Sequence, residues 1–277
     1  MKLVEGTFKN RRNQQIFTRS WLPETNIKAI VFLIHGYAEH SGRYAHVADF
    51  FTNEQCGVFG LDHHGHGKSE GRRADCLRFD DYIEDGKHFI DQVTAKYPQL
   101  PRFIFGHSMG GAIAIKCVLR FPQSFSGLLV TGCAIKISNN VSPFLQKLAN
   151  LVAAVLPWLP VQSLDAAVIS RNPQIVRNYD SDPLVYRGKV RARMGAQLLR
   201  ASQEITANLE KITIPFWAGH GTSDKLIDPV GSQWLFDRAM STDKTLRLFD
   251  GLYHEILNEP EKEVVLAEMV TWIQKQC

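Results

Sequence analysis

No two cysteines in this chain are spaced as C-x-x-C, and the five present (Cys56, Cys76, Cys117, Cys133 and Cys277) are an odd number. That argues against a disulfide framework and a zinc knot, and suits buried thiols in a reducing compartment. Low-complexity tracts and internal repeats are missing too, so disorder is not expected. The opening Met1-Lys2-Leu3-Val4-Glu5 has no basic region leading into an apolar stretch. No signal peptide is therefore expected, and the chain is placed in the cytoplasm. Charge of one sign is also lacking, since 32 Lys and Arg face 28 Asp and Glu for a net +4. With no aromatic-interleaved basic run, nucleic acid is not an expected partner. One local exception is Arg187, Lys189, Arg191 and Arg193, which have helical i, i+4 spacing and no acidic neighbour until Glu204. They read as an exposed helix face, with attraction to anionic lipid headgroups as the alternative.

What is present suits one large α/β domain: 277 residues of which 44% are hydrophobic, ample for a sizeable core. Residues 4–8 and 18–21 read as edge strands, and 29–34, 57–61, 127–131, 214–218 and 244–249 as further strands. A helix is expected over 79–97. Strand and helix alternate, which implies a doubly wound, mostly parallel sheet flanked by helices. That rhythm breaks between Ile135 and Asn208, where helix-like segments replace strands. An inserted helical cap over 135–208 is therefore expected between two parts of a core, 1–134 and 209–277.

Inside the cap, residues 143–161 hold Phe144, Leu148, Leu151, Val155 and Trp158 among other apolar side chains, with Lys147 as the only charge. The run is interrupted well short of the roughly 20 apolar residues a spanning helix needs. It reads either as packing on the core or as an apolar lid that touches a membrane surface and admits an acyl chain, with Leu148 and Leu151 as candidate substrate contacts.

The most informative residues are Gly106-His107-Ser108-Met109-Gly110, which follow the apolar Arg102-Phe103-Ile104-Phe105 and precede a helical run. A serine turned sharply between strand and helix needs neighbours without side chains two positions away on either side. Taken alone, G-x-S-x-G is equally a Gly-rich turn with a capping serine. The flanking strand and helix favour a nucleophile elbow.

A serine hydroxyl needs a histidine base, and the histidine needs a carboxylate to hold its tautomer and steady the imidazolium. In chain order after Ser108, two loops at strand ends supply them: Asp224 in Gly219-His220-Gly221-Thr222-Ser223-Asp224, and His254 in Asp250-Gly251-Leu252-Tyr253-His254-Glu255. Asp228 is the rival carboxylate. The tetrahedral intermediate needs two backbone N–H donors, for which Met109 and Tyr37 are the candidates. The crowded Asp62-His63-His64-Gly65-His66-Gly67 suggests a metal site at first sight, but its glycines and Ser69 point to a structural turn, so no metal and no cofactor is expected. His107 and His220 read as packing or loop-bracing residues.

Three segments carry a resemblance: His35-Gly36 with Glu39-His40-Ser41-Gly42-Arg43-Tyr44, then Asp62 with Gly65-His66-Gly67-Lys68-Ser69-Glu70-Gly71, then the elbow itself. Together they resemble the monoacylglycerol lipase branch of the α/β-hydrolases. The stretches Ala167-Val168-Ile169-Ser170-Arg171-Asn172, Tyr179-Asp180-Ser181-Asp182-Pro183-Leu184 and Gln197-Leu198-Leu199 are similar to that branch's cap. The resemblance implies an α/β-hydrolase fold and hydrolysis of monoacylglycerols to fatty acid and glycerol. It implies Glu39, Arg43 and Tyr179 near the pocket that receives glycerol. The departures are Leu257, where vertebrate members have a second histidine, and Ile227, where they have a cysteine. A lysophospholipid or a simpler carboxylic ester is the alternative substrate, and a non-catalytic ligand-binding homologue the alternative class.

Overall fold

The computed structural model describes residues 1–136 and 153–277. In chain order its strands are β1 (Lys2–Lys9), β2 (Gln15–Leu22), β3 (Ala29–Ile34), β4 (Cys56–Leu61), β5 (Arg102–His107), β6 (Gly127–Thr131), β7 (Pro160–Gln162), β8 (Val190–Arg191), β9 (Phe216–Gly221) and β10 (Lys244–Phe249). Eight of them form one sheet in the order β1-β2-β4-β3-β5-β6-β9-β10. From β4 across to β10 all neighbours are parallel; at the other edge the β1–β2 and β2–β4 pairings are antiparallel, so β2 alone runs against the rest.

The central strands β3, β4 and β6 are buried along their whole length because helices cover both faces, whereas the edge strand β10 is partly exposed. In β3, Ile30, Phe32 and Ile34 join one core with Ile83 of α2 (Asp80–Lys96) and Ile113 of α3 (Met109–Arg120). Val31 and Leu33 point the other way, into a second core with Phe51 of α1 (Ala45–Asn53) and Met269 of α7 (Lys262–Lys275). Each of these side chains contributes about 1.5–3 kcal/mol by its removal from water. Because β3, β5, β6, β9 and β10 point the same way, the loops that follow them gather at one edge of the sheet.

The strand expected over 214–218 runs instead from Phe216 to Gly221, carrying His220 into the sheet. Four cysteines are buried and Cys277 is exposed, all of them free.

Between β6 and β9 the described residues add no strand to the main sheet. They are not purely helical either. β7 and β8 pair antiparallel as a separate ribbon beside α4 (Pro173–Ser181) and α5 (Ala192–Thr206). The expectation of helix alone missed this ribbon because strands of three and two residues leave no readable alternation.

The basic run departs from its expected helical spacing. Arg187 and Lys189 lie in a loop, Arg191 in β8, and only Arg193 in a helix. Arg193 pairs with the buried Asp75, and Arg191 donates to the Arg73 carbonyl, so these two brace the insertion against the loop after β4. Further ties are His40 to Asp182 at 2.8 Å and Arg171 to Glu259 at 2.8 Å. Met194, Ala201 and Ile205 of α5 join the core cluster of α2 and α3. Leu148 and Leu151 lie outside the described residues, as does the part of the expected lid over 143–152. Among the described residues, no helix is long and apolar enough to cross a membrane.

Candidate active site

Ser108 sits at the single residue between the end of β5 and the start of α3, with φ 55° and ψ −119°. A positive φ is strained for any residue with a Cβ. The surrounding backbone holds it there: the Ser108 N–H donates to the Thr131 carbonyl at 2.9 Å, and the Ser108 carbonyl accepts from Gly111 at 3.0 Å and Ala134 at 3.2 Å. The two glycines are required by contact. A Cβ on Gly106 would lie 2.2 Å from the Gly110 carbonyl oxygen, and one on Gly110 would lie 2.0 Å from that of Ile34. Without side chains there, α3 closes onto the sheet and the serine projects over its edge.

The loops after β9 and β10 bring the expected carboxylate and histidine together. His254 Nδ1 lies 2.6 Å from Asp224 Oδ2. With Asp224 ionised, the Nδ1–H donates, which leaves Nε2 as the basic nitrogen. The other oxygen, Oδ1, accepts from the N–H groups of Leu226 at 2.8 Å and Ile227 at 3.0 Å. Burial pushes the Asp224 carboxyl up, but the adjacent His254 and the hydrogen bonds it receives hold it well below the usual carboxylate range. Burial likewise pushes His254 down, but the charge and hydrogen bond of Asp224, with Glu255 and Glu39 beyond, raise it above the ordinary histidine value. Asp228 is placed elsewhere: it accepts from the Val230 N–H at 3.0 Å and pairs with Lys136 at 3.0 Å.

Ser108 and His254 line one cavity of about 730 Å³. The core lines it with Gly36, Tyr37, Glu39, His107 and Met109, and the insertion lines it largely with apolar side chains, Val161, Leu164, Ala196, Leu198 and Leu199, beside Gln162 and Asp165. Tyr37 and Met109 thus flank the serine from the loop after β3 and the first turn of α3. Among the described residues, no protein acceptor takes either N–H. The turn bearing Tyr37 is fixed by Glu39, whose Oε1 accepts from the Gly36 N–H at 2.6 Å and the Tyr44 hydroxyl at 2.7 Å.

The three residues expected near a polar headgroup meet here. Arg43 bridges Glu39 at 2.7 Å and Glu255 through two bonds of 2.7 and 2.8 Å, and its guanidinium lies 4.7 Å from the Tyr179 ring centroid. Glu39 and Tyr179 line the cavity, whereas Arg43 lies behind them with its donors held by the two carboxylates. Burial raises Glu39, while Glu255, also pushed up by burial, is drawn down to about 2 by the Arg43 fork.

Glu255 is not legible in the sequence, because nothing there marks the residue after the histidine as buried. His220 does more than brace a loop. The H-G-x-x-D spacing was a usable signal, since in the structure His220 Nε2 lies 3.0 Å from Asp224 Oδ2.

The other histidines are engaged locally. His35 Nε2 accepts the His63 N–H at 2.9 Å, His66 Nδ1 lies 3.2 Å from the His64 carbonyl, and Asp62 collects the Ser41 and Lys68 N–H groups at 2.9 and 2.8 Å. Among the described residues, no group of three His, Cys, Asp or Glu is placed to hold a metal. His107 bonds Thr131 Oγ1 at 3.0 Å, and its ring centroid lies 4.7 Å from that of His254. Burial, then the neighbouring His254, lowers it to about 3.

Comparison with known proteins fits this geometry. The family described as serine aminopeptidase, S33, matches residues 25–261. A monoacylglycerol lipase of Mycolicibacterium smegmatis is 39% identical over 97% of this chain and 96% of its own. The monoglyceride lipase of Homo sapiens is 37% identical over 96% of this chain and 89% of its own. The crystal structure of the monoacylglycerol lipase of Paleococcus ferrophilus superposes with a TM-score of 0.81 at 29% identity, over 100% of both chains.

Proposed function

The chain belongs to the family described as serine aminopeptidase, S33, and we propose that within it this protein is a carboxylic ester hydrolase that cleaves monoacylglycerols to fatty acid and glycerol. Its relatives carry that activity in their names. The observation that carries the reading is the cavity, which sets a strained serine and a carboxylate-held histidine against a long apolar wall. A single acyl chain needs such a wall, and a glycerol headgroup needs the donors and acceptors opposite.

In the proposed sequence, His254 Nε2 takes the proton of Ser108 as Oγ attacks the ester carbonyl carbon. The carbonyl oxygen becomes an oxyanion, received by the N–H groups of Tyr37 and Met109. Collapse breaks the bond to the glycerol oxygen, which leaves with the proton from His254. Water, deprotonated by the same nitrogen, then attacks the acyl carbon, and collapse breaks the bond to Ser108 Oγ, which takes the proton back from His254 as the fatty acid leaves. Asp224 holds the imidazole tautomer and offsets its charge in both halves. No cofactor enters these steps.

We assign the residues over 135–208 as a cap. Val155, Leu156, Trp158 and Leu159 stay 41–66% exposed, which fits transient contact with a lipid surface from which substrate is drawn. Peptide hydrolysis is the less apt reading, because the carboxylates that could hold a peptide's ammonium group are engaged by Arg43.

A lysophospholipid is the second reading. Lys225 lines the cavity and is exposed, with its ammonium 5.5 Å from the Tyr253 ring centroid, where a phosphate could pair with it. The test is fluorophosphonate labelling of Ser108 combined with turnover of monoacylglycerols and lysophospholipids of matched chain length. Labelling with preferred monoacylglycerol turnover supports the reading. Preference for the phosphate-bearing lipid replaces the headgroup assignment, and failure to label removes the serine mechanism.

A further inference from the structure

Asp224 receives two histidines on one oxygen. His254 Nδ1 lies 2.6 Å from Oδ2 and His220 Nε2 lies 3.0 Å from the same atom. With the two backbone donors on Oδ1, the carboxylate has four hydrogen-bond donors and its side chain has no solvent exposure. His220 is itself fully buried on β9, and its other nitrogen, Nδ1, lies 2.8 Å from Oγ of the fully buried Ser232 on α6 (Val230–Arg238). An ionised Asp224 needs a proton on His220 Nε2. In a neutral ring the hydroxyl of Ser232 then donates to Nδ1 and selects that tautomer.

We propose that His220, oriented by Ser232, is a positioning residue that limits how strongly Asp224 attracts the proton on His254. The inference rests on the esterase reading above. Its physical reason is competition for one oxygen. A donor on Oδ2 draws negative charge toward itself, so less of that charge faces the imidazolium of His254. Removing it while the Leu226 and Ile227 N–H groups keep the carboxylate in place concentrates the charge on His254. The imidazolium is then held more tightly, and His254 is neutral, and able to act as a base, only at higher pH. Other charged or titratable groups facing His254 are Glu255 beside it, Glu39 and Arg43 from the segment after β3, and His107 on β5. His220 differs from all of these in sharing the hydrogen-bonded oxygen.

The experiment follows His254 in the full chain by two measurements: the acid limb of kcat/KM on a short soluble ester, and imidazole NMR titration, which needs no turnover. His220→Leu is expected to move the midpoint upward by about one pH unit, the equivalent of roughly tenfold in proton affinity. Activity near pH 6.5 then falls about tenfold while the alkaline plateau is largely kept. His220→Gln, whose amide can donate to the same oxygen, is expected to restore the midpoint. Should the leucine variant not fold, Ser232→Ala serves, with a smaller shift in the same direction.

An unchanged or lowered midpoint overturns the proposal, as does equal loss of activity at every pH with a lowered melting temperature, which would mark His220 as packing only. A wild-type protein inactive on esters would defeat the esterase reading instead, and the NMR midpoint would still decide the role of His220.

Discussion

Asp224 and His254 are joined by a 2.6 Å hydrogen bond between a carboxylate side chain with no solvent exposure and an imidazole side chain with only 6%. Burial disfavours both charges singly and their mutual attraction restores both, so removing either partner leaves the other costly. Asp224→Asn is therefore expected to lower kcat by about 10⁴-fold, because the amide stabilises the wrong tautomer of His254. Asp228→Asn is expected to be mild, since that carboxylate serves Lys136 and the start of α6. Steady-state kinetics of the two variants checks the ranking, and the reverse order would exchange the roles.

Ser108→Ala is expected to cost about 10⁴-fold or more in kcat, since nucleophile and base act as a unit. Ser108→Gly should be equally inactive yet more stable. Glycine tolerates the 55° φ that serine holds under strain, a relief of about 1–2 kcal/mol. Calorimetry of both variants separates the two effects, and a Gly variant that melts below the wild type would remove strain from the account.

The pH dependence should have opposite signs for activity and for one contribution to stability. In the proposed mechanism His254 must be neutral to accept the proton from Ser108, and its proton affinity is raised, so the acid limb of kcat/KM is expected above the unperturbed histidine value of about 6.5. The stability contributed by the same raised group is fully present below about pH 6.5 and is lost as pH rises through its folded value.

His35, His63, His66 and His107 are all lowered by burial. They contribute stability above about pH 6.5 that is lost as pH falls, because the unfolded chain then binds protons the folded one refuses. With these four and His46, which burial also lowers, against the one raised histidine, melting temperature is expected to drop between about pH 7 and pH 5. A flat profile there would contradict the buried neutral cluster.

Filling the apolar wall should discriminate by chain length. Ala196 lines the cavity, and Ala196→Phe is expected to exclude long acyl chains while sparing a short ester that reaches Ser108 without that wall. Each methylene kept from burial forfeits about 0.8 kcal/mol. Parallel kinetics on a short soluble ester and a long-chain monoacylglycerol gives the answer. Equal losses on both would show that the wall does not receive the chain.

Lipid contact through the insertion has its own check. Trp158→Ser, at a side chain 57% exposed, is expected to weaken cosedimentation with phosphatidylcholine vesicles without changing turnover of a soluble ester. Unaltered vesicle binding would assign the exposed apolar residues another role.

The sheet was legible because each central strand is an unbroken apolar run bounded by turn residues, a pattern that depends on local sequence and two-sided burial alone. The elbow was legible for a related reason. A Cβ at Gly106 or Gly110 would lie only 2.2 or 2.0 Å from a backbone carbonyl oxygen, so the constraint is written in residue type. The order Ser108, Asp224, His254 followed once each could be assigned to the carboxyl end of a strand.

Other features could not be read in this way. Whether Asp224 or Asp228 meets His254 depends on how the loops after β9 and β10 approach each other. The engagement of Arg43 by both Glu39 and Glu255 joins residues 212 positions apart, and the second histidine on Asp224 arises because β9 extends as far as Gly221. The basic run looked helical because its spacing suited a helix, yet burial of Asp75 draws Arg193 inward, and a two-residue strand takes Arg191. Local sequence determined the strands, the sharp turn at Ser108 and the chemical types available at the sheet edge, since those follow from backbone sterics and apolar patterning. The tertiary structure alone decided which charges share an oxygen and which are held apart, because pairing among buried polar groups depends on distances set by packing of remote segments.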